Sequence, residues 1–135
     1  MTSTLRPQDY AATLLRLSLG ILFLAHAGLK LFVFTIPGTV GYFESIGFPG
    51  FLAHLVIAGE LIGGLALLAG VMTRWASLGL AVIAFGAIYP HAGNGWVFSA
   101  PGGGWEFPLF LGITALVQAL LGPGAFALKL NAARA

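Results

Sequence analysis

Residues 11–34 read AATLLRLSLGILFLAHAGLKLFVF, an apolar run interrupted only by Arg16, His26 and Lys30. It is too long and too regular for a buried strand. A membrane-crossing strand needs about 10 residues and alternates in polarity, and this run does neither. A helix of this length spans the hydrocarbon core of a bilayer. Three more stretches read the same way. Residues 51–72 carry His54 and Glu60, and residues 75–91 stay apolar until the terminal His91. Residues 107–122 have Gln118 as their most polar member. The last two are short, which calls for local thinning of the bilayer.

The composition agrees. Of 135 residues, 59% are hydrophobic and 7% charged, against about 25% charged in soluble domains. So few charges cannot cover the surface of a small water-soluble domain. The net charge of +2 comes from scattered residues, not from a stripe that follows a phosphate backbone, so nucleic acid is excluded as a partner. Cysteine is absent, which removes disulfides, thiolate metal sites and dithiol relays.

The expected architecture is all-α: an integral membrane four-helix bundle lying in the lipid bilayer. Residues 1–10 form an N-terminal segment, residues 11–128 the membrane domain and residues 129–135 a tail. Pro37-Gly38 and Gly47-Phe48-Pro49-Gly50 bracket the first connection, and Thr73-Arg74 forms the second. Residues 90–106 make a Gly-rich third loop, and Gly122-Pro123-Gly124 ends the last span. Arg6, Arg74, Lys129 and Arg134 share one side, so both termini are expected in the cytoplasm. Tyr42, Tyr89, Trp96 and Trp105 would mark the outer interface, Tyr10 and Trp75 the inner one.

Ionisable residues inside spans are costly and face the bundle interior in pairs. Arg16, Gly20, Phe23, His26 and Lys30 fall on one stripe of the first span. Glu60 is flanked by Gly59, Gly63 and Gly64, which admit a close neighbour. The expectation is a candidate site of Arg16, His26, Lys30 and Glu60, with Glu60 clustered with His26 or Arg16. It serves as a structural ion pair or as a proton-handling site for a quinone headgroup. His54, His91, Glu44, Glu106 and Asn94 lie toward the outer side. No pair of the three histidines, His26, His54 and His91, has helical ligand spacing and no CxxCH occurs, so no metal or covalently bound cofactor is expected. Gly102-Gly103-Gly104 lacks the following Lys of a phosphate loop, and no βαβ unit fits around Gly122-Pro123-Gly124. Ala25-His26-Ala27 imitates a signal cleavage site, but the apolar run continues beyond it.

The order of elements resembles the DoxX family of small bacterial membrane proteins. The matching pieces are Leu15-Arg16-Leu17 with Gly20, His26-Ala27-Gly28 with Lys30, and Tyr42-Phe43 with Gly47-Phe48-Pro49. Glu60, Gly70 with Thr73-Arg74-Trp75-Ala76, His91 with Asn94-Gly95, and Gly103-Gly104-Trp105-Glu106 complete the set. The resemblance implies a multi-pass protein of the bacterial inner membrane. It also implies a link to quinone oxidoreductase complexes or to assemblies with soluble oxidative-stress enzymes. The family's polar positions fall on Arg16, His26, Lys30, Glu60, Arg74, His91 and Glu106. Three functions compete: a quinone-linked oxidoreductase subunit receiving electrons from a partner, a non-catalytic anchor for soluble redox enzymes, and a small transporter. The transporter would need a homo-oligomer, which Gly20, Gly63, Gly79 and Gly86 on helix faces would permit.

Overall fold

The computed structural model describes residues 4–128, and all regular structure among them is helical. Helix α1 (Pro7–Gly28) runs into a π-helical turn (Leu29–Val33). There follow α2 (Ile36–Ser45), α3 (Phe51–Ala69), α4 (Thr73–Gly86), a short α5 (Ile88–His91) with a 3₁₀ turn (Ala92–Asn94), and α6 (Glu106–Leu121). Three stretches are long and apolar enough to cross a membrane: Pro7–Val33, Phe51–Ala69 and Thr73–Asn94. Helix α6 is apolar but has 16 residues, about 24 Å at 1.5 Å per residue.

Local chemistry sets the boundaries. Pro7 opens α1, and Asp9 Oδ2 accepts the Arg6 N–H at 2.8 Å, leaving fewer free donors in the first turn. Helix α3 stops at Gly70, whose φ of 76° is left-handed. The Gly70 and Val71 N–H groups both close on the Ala66 carbonyl, at 2.8 and 2.9 Å, and so terminate the helix.

Two boundaries differ from the sequence reading. The first connection is not a loop but contains α2. Pro37 was expected to break the chain; it sits instead in the first turn, where proline is tolerated. Thr35 caps that turn, its Oγ1 accepting the Gly38 N–H at 3.2 Å. The third apolar run is also broken: α4 ends at Gly86, and α5 resumes with Pro90 inside it.

The helices pack in the ring order α1, α3, α4, α6, and α6 touches α1 least. Glycine makes each close crossing. A Cβ on Gly20 would lie 3.0 Å from the Gly64 carbonyl oxygen, and one on Gly64 would lie 2.8 Å from Leu24 Cγ. Gly59 faces Ile83, Gly63 faces Leu80 and Gly112 faces Phe85. The expected Gly59 and Gly63 pair therefore admits α4, while α1 enters at Gly64. Lipid is as apolar as leucine, so such packing drives helix association in a membrane. Gly79 and Gly86 have nothing within 4 Å. At the centre, Leu19, Phe23, Leu67, Leu80, Ala84 and Leu111 form one apolar layer.

The start of α1, the end of α3, the start of α4 and the end of α6 share one end of the bundle, here the near end; Lys129 and Arg134 lie outside the described residues. The far end carries α2, α5 and the loop 95–105. Gly64→Ala should destabilise the protein by about 1–3 kcal/mol, as overpacking does. Gly79→Ala, in open space, should stay within about 0.5 kcal/mol. Unfolding in mixed micelles compares the two, and equal losses would contradict the crossing.

Candidate functional site

The polar side chains of the membrane domain divide into three groups. At the near end, Arg16 is 1% exposed and meets no carboxylate among the described residues. Its Nε donates to Pro123 O at 2.9 Å and its Nη1 to Leu67 O and Leu68 O at 2.7 and 2.9 Å. Nη2 donates to Ala125 O at 3.2 Å. The Leu67 and Leu68 carbonyls belong to the last turn of α3, where spare acceptor capacity and the negative end of the helix dipole favour a cation. Arg16 thus clamps α1, α3 and the segment after α6. Thr13 supports it, donating to Ala125 O at 2.6 Å. Gln118 Nε2 donates to Ala12 O and Gly122 O, at 3.2 and 2.9 Å. Arg74 repeats the device at the end of α6, its Nη1 donating to Ala119 O and Leu120 O at 2.8 and 3.0 Å.

The second group is an ion pair. Lys30 Nζ lies 3.0 Å from Glu60 Oε1 and 2.9 Å from Oε2. Glu60 is paired with Lys30, not with His26 or Arg16 as expected from depth along ideal helices. Lys30 lies one turn beyond His26 on the same stripe of α1, and its long side chain reaches the carboxylate; a π turn begins just there. The Phe34 N–H closes on Leu29 O at 2.9 Å, a five-residue step that widens the helix where Lys30 sits, and such turns favour functional or strained places. Thr39 Oγ1 donates to Thr35 O at 2.8 Å, with Lys30 O a second, longer acceptor at 3.3 Å, which places α2 over the pair. Thr35 holds a φ of 65°, a conformation that costs a β-branched residue of order 1–3 kcal/mol. The pair sits beyond the apolar layer from Arg16, because Leu19 and Phe23 intervene along α1.

The third group lies at the far end. His91 Nδ1 is 3.0 Å from Gly103 O and 3.2 Å from Gly102 O. Both neighbours only accept, so Nδ1 carries the proton. Asn94 Nδ2 donates to Gly103 O at 2.9 Å. Glu106 Oε1 accepts the Phe98 N–H at 3.1 Å. These three expected residues are brought together by the loop they hold. A Cβ on Gly104 would strike the Trp96 and Val97 carbonyls, and Gly102 and Gly103 have φ of 80° and 83°, so the glycine run serves the loop backbone. Trp96 and Trp105 pack edge to face with centroids 4.5 Å apart. His54 and Glu44 are exposed elsewhere. Among the described residues no three His, Cys, Asp or Glu side chains converge as metal ligands would.

His26 is half-buried, one turn before Lys30, and stacks on Phe107 of α6 with centroids 6.3 Å apart. Beside Phe107 lies a groove of about 480 Å³ bordered by Trp96, Phe98, Glu106, Phe110 and Ile113. Its walls are apolar except at Glu106. Phe107 and Thr39 were not singled out from the sequence. Thr39 follows Thr35 at the i, i+4 spacing of a back-bonded hydroxyl, but Phe107 has no signal among so many aromatic residues.

Glu60→Gln alone leaves a buried ammonium facing an amide and should cost about 3–5 kcal/mol. The double replacement Lys30→Met with Glu60→Gln should recover most of that. A double-mutant cycle of unfolding free energies reads the coupling, and strictly additive losses would contradict the pair.

The chain matches the DoxX family over residues 11–93. "Putative oxidoreductase CatD" of Bacillus subtilis (strain 168) is 36% identical over 126 residues, covering 89% of this chain and 85% of that protein. "Inner membrane protein YqjF" of Escherichia coli (strain K12) is 38% identical over 71 residues, 53% of each chain. No solved structure matches. With its apolar helices and a match that spans most of the membrane domain, the chain belongs to the DoxX family of membrane proteins.

Proposed function

We propose that this chain is the membrane subunit of a quinone-linked oxidoreductase complex of the bacterial inner membrane, with its headgroup site at His26, Phe107 and Glu106. The carrying observation is the groove beside Phe107, apolar and aromatic with a single carboxylate at one edge. That is the pattern of a small-molecule pocket, in which a few polar groups orient an apolar ligand. Phe107 and Glu106 border the groove, and His26 stacks on Phe107 without itself bordering it. A quinone bound there supplies a two-electron, two-proton carrier. The His26 ring nitrogens can donate to or accept from a ring oxygen, Glu106 can accept a proton at the carboxylate oxygen not held by Phe98, and Phe107 gives an aromatic face. The name oxidoreductase borne by the Bacillus subtilis relative and the inner-membrane name of the Escherichia coli relative support the reading. The sequence has no cysteine for a dithiol relay or sulfur cluster and no legible flavin or haem motif, so in this reading electrons arrive from a partner protein.

This reading leaves Arg16 and Glu60 outside the headgroup site, in structural roles. Every Arg16 nitrogen is engaged by carbonyls, and both Glu60 oxygens are engaged by Lys30. The same self-sufficiency favours a second reading, a non-catalytic anchor for soluble redox enzymes, because buried charges that satisfy one another need no ligand. The apolar layer between the two ends weighs against a transporter route through one chain.

In this reading α6 is the fourth span, its 16 residues requiring a locally thinned bilayer, and the near end with Arg6 and Arg74 is cytoplasmic. The chain has no native cysteine, so single cysteines report topology directly. Ser99→Cys should react with an impermeant maleimide added to intact cells, and Thr4→Cys only after permeabilisation. The reverse pattern would overturn the orientation.

Protein purified in mild detergent should yield close to one extractable quinone per chain by mass spectrometry. His26→Ala and Glu106→Ala should each lower that yield at least tenfold, while Gly79→Ala should retain it. Wild-type protein free of quinone but carrying soluble enzymes through purification would move the conclusion to the anchor.

A further inference from the structure

A hydroxyl on an apolar helix can satisfy itself by bonding back to the preceding turn. Thr13, Ser18, Thr39, Ser45 and Thr114 all do so, each donating to a carbonyl three or four residues earlier. Ser77 does not. It is fully buried on α4, and its Oγ has no hydrogen-bond partner among the described residues. Two more buried oxygens share that condition: Thr73 Oγ1, one turn before Ser77 on the same face of α4, and Gln118 Oε1 on α6. A buried polar atom left unpaired forfeits its hydration with nothing in return.

The packing of α4 on α6 brings the three together at the near end. A Cβ on Gly122 would meet Arg74, and one on Gly112 would meet Phe85. From Arg74 to Phe85 along α4, α6 therefore runs back from Gly122 to Gly112, and Ser77 stands level with residue 119, beside Gln118. Both side chains are wholly buried and so face inward. The Gln118 amide reaches on toward the level of Thr73, because its Nε2 donates to Ala12 O and Gly122 O. Those two neighbours only accept, which fixes the nitrogen beside them and turns Oε1 to the other side. The Arg16 guanidinium shares this level: a Cβ on Gly70, in the turn before Thr73, would lie 2.9 Å from Arg16 Nη1. The next inward positions on the two helices, Ala81 and Ala115, are small.

The donors and acceptors choose the ligand. Gln118 Oε1 only accepts, so its partner must donate, which a simple anion cannot do. The two hydroxyls have protons to give. The Arg16 guanidinium nearby repels a metal cation. Water meets all three demands, and an internal water characteristically joins two to four polar groups.

We propose that the near end of the bundle binds water internally, held by Ser77 Oγ, Thr73 Oγ1 and Gln118 Oε1. The two hydroxyls donate to it, and it donates to Gln118. It joins α4 to the clamp that Arg16 makes between α1, α3 and the segment after α6. Hydration from the near end stops at this level, because Leu80, the next inward residue after Ser77, belongs to the apolar layer.

The test is the sign of a deletion. In full-length protein in mixed micelles, Ser77→Ala should raise the unfolding equilibrium constant about fivefold, as losing a made hydrogen bond does. A dry, unpaired hydroxyl predicts the opposite, since its removal relieves a desolvation cost. Thr73→Val, which keeps the shape, should act in the same direction. The double variant should lose little more than either single one, because both hydroxyls serve the same water. A crystal structure that resolves ordered solvent should show a peak within about 3.2 Å of Ser77 Oγ. A neutral or stabilising Ser77→Ala, or strictly additive losses, would overturn the proposal. So would a Ser77 Oγ with no solvent peak beside it, or a peak at the metal-like distance of about 2.4 Å.

Discussion

A guanidinium inside an apolar bundle must find acceptors, and Arg16 finds them at the frayed end of another helix. The last turn of any helix leaves carbonyls unpaired, and in a membrane no water is at hand to satisfy them. Arg16 uses the Leu67 and Leu68 carbonyls of α3 and adds Pro123 and Ala125 from the segment after α6. One residue thereby fixes the relative height of three parts of the chain. Gly20, one turn further along α1, can then meet Gly64 at van der Waals distance. Arg74 performs the same service for the end of α6. Each pairing of a first helix with a returning helix, α1 with α3 and α4 with α6, is closed by an arginine on the former and carbonyls on the latter.

The consequence is a bundle with polar ends and a dry middle. The layer formed by Leu19, Phe23, Leu67, Leu80, Ala84 and Leu111 separates the Arg16 clamp from Lys30 and Glu60. On the far side the helices lose regularity, through the π turn at Leu29–Val33, the strained Thr35 and the break after Gly86. Irregular backbone within membrane proteins is tolerated where it is covered by protein or borders a cavity. Here it lies beneath α2 and beside the aromatic groove, the part of the molecule with room for a ligand.

Much of this was legible in the sequence. The apolar runs, the lack of charge and the Lys and Arg placement give the helices and their approximate ends, because burial in lipid imposes a length and a composition that no soluble fold shares. The residue identities of the buried polar set were also readable, since each ionisable residue in a span stands out. The pairings were not. Glu60 was expected to meet His26 or Arg16 by depth on straight helices, but Lys30, one turn beyond His26 on the same stripe, reaches it with a longer side chain. Arg16 was expected to seek a carboxylate, whereas a helix terminus supplies acceptors that carry no sequence signature. Pro37-Gly38 reads as a break and is the opening turn of α2. Phe107, which joins His26 to the groove, is one of 11 phenylalanines and could be chosen only from geometry.

The account separates structural charge, at Arg16 and at Lys30 with Glu60, from the ligand-facing edge at His26, Phe107 and Glu106. Photoaffinity labelling with an azido-quinone in membranes, followed by peptide mapping, tests that separation most directly. The account predicts adducts confined to the stretch around Trp96 to Ile113 and to the neighbourhood of His26. Labelling concentrated instead around Arg16 or Glu60, with none on α6, would contradict it.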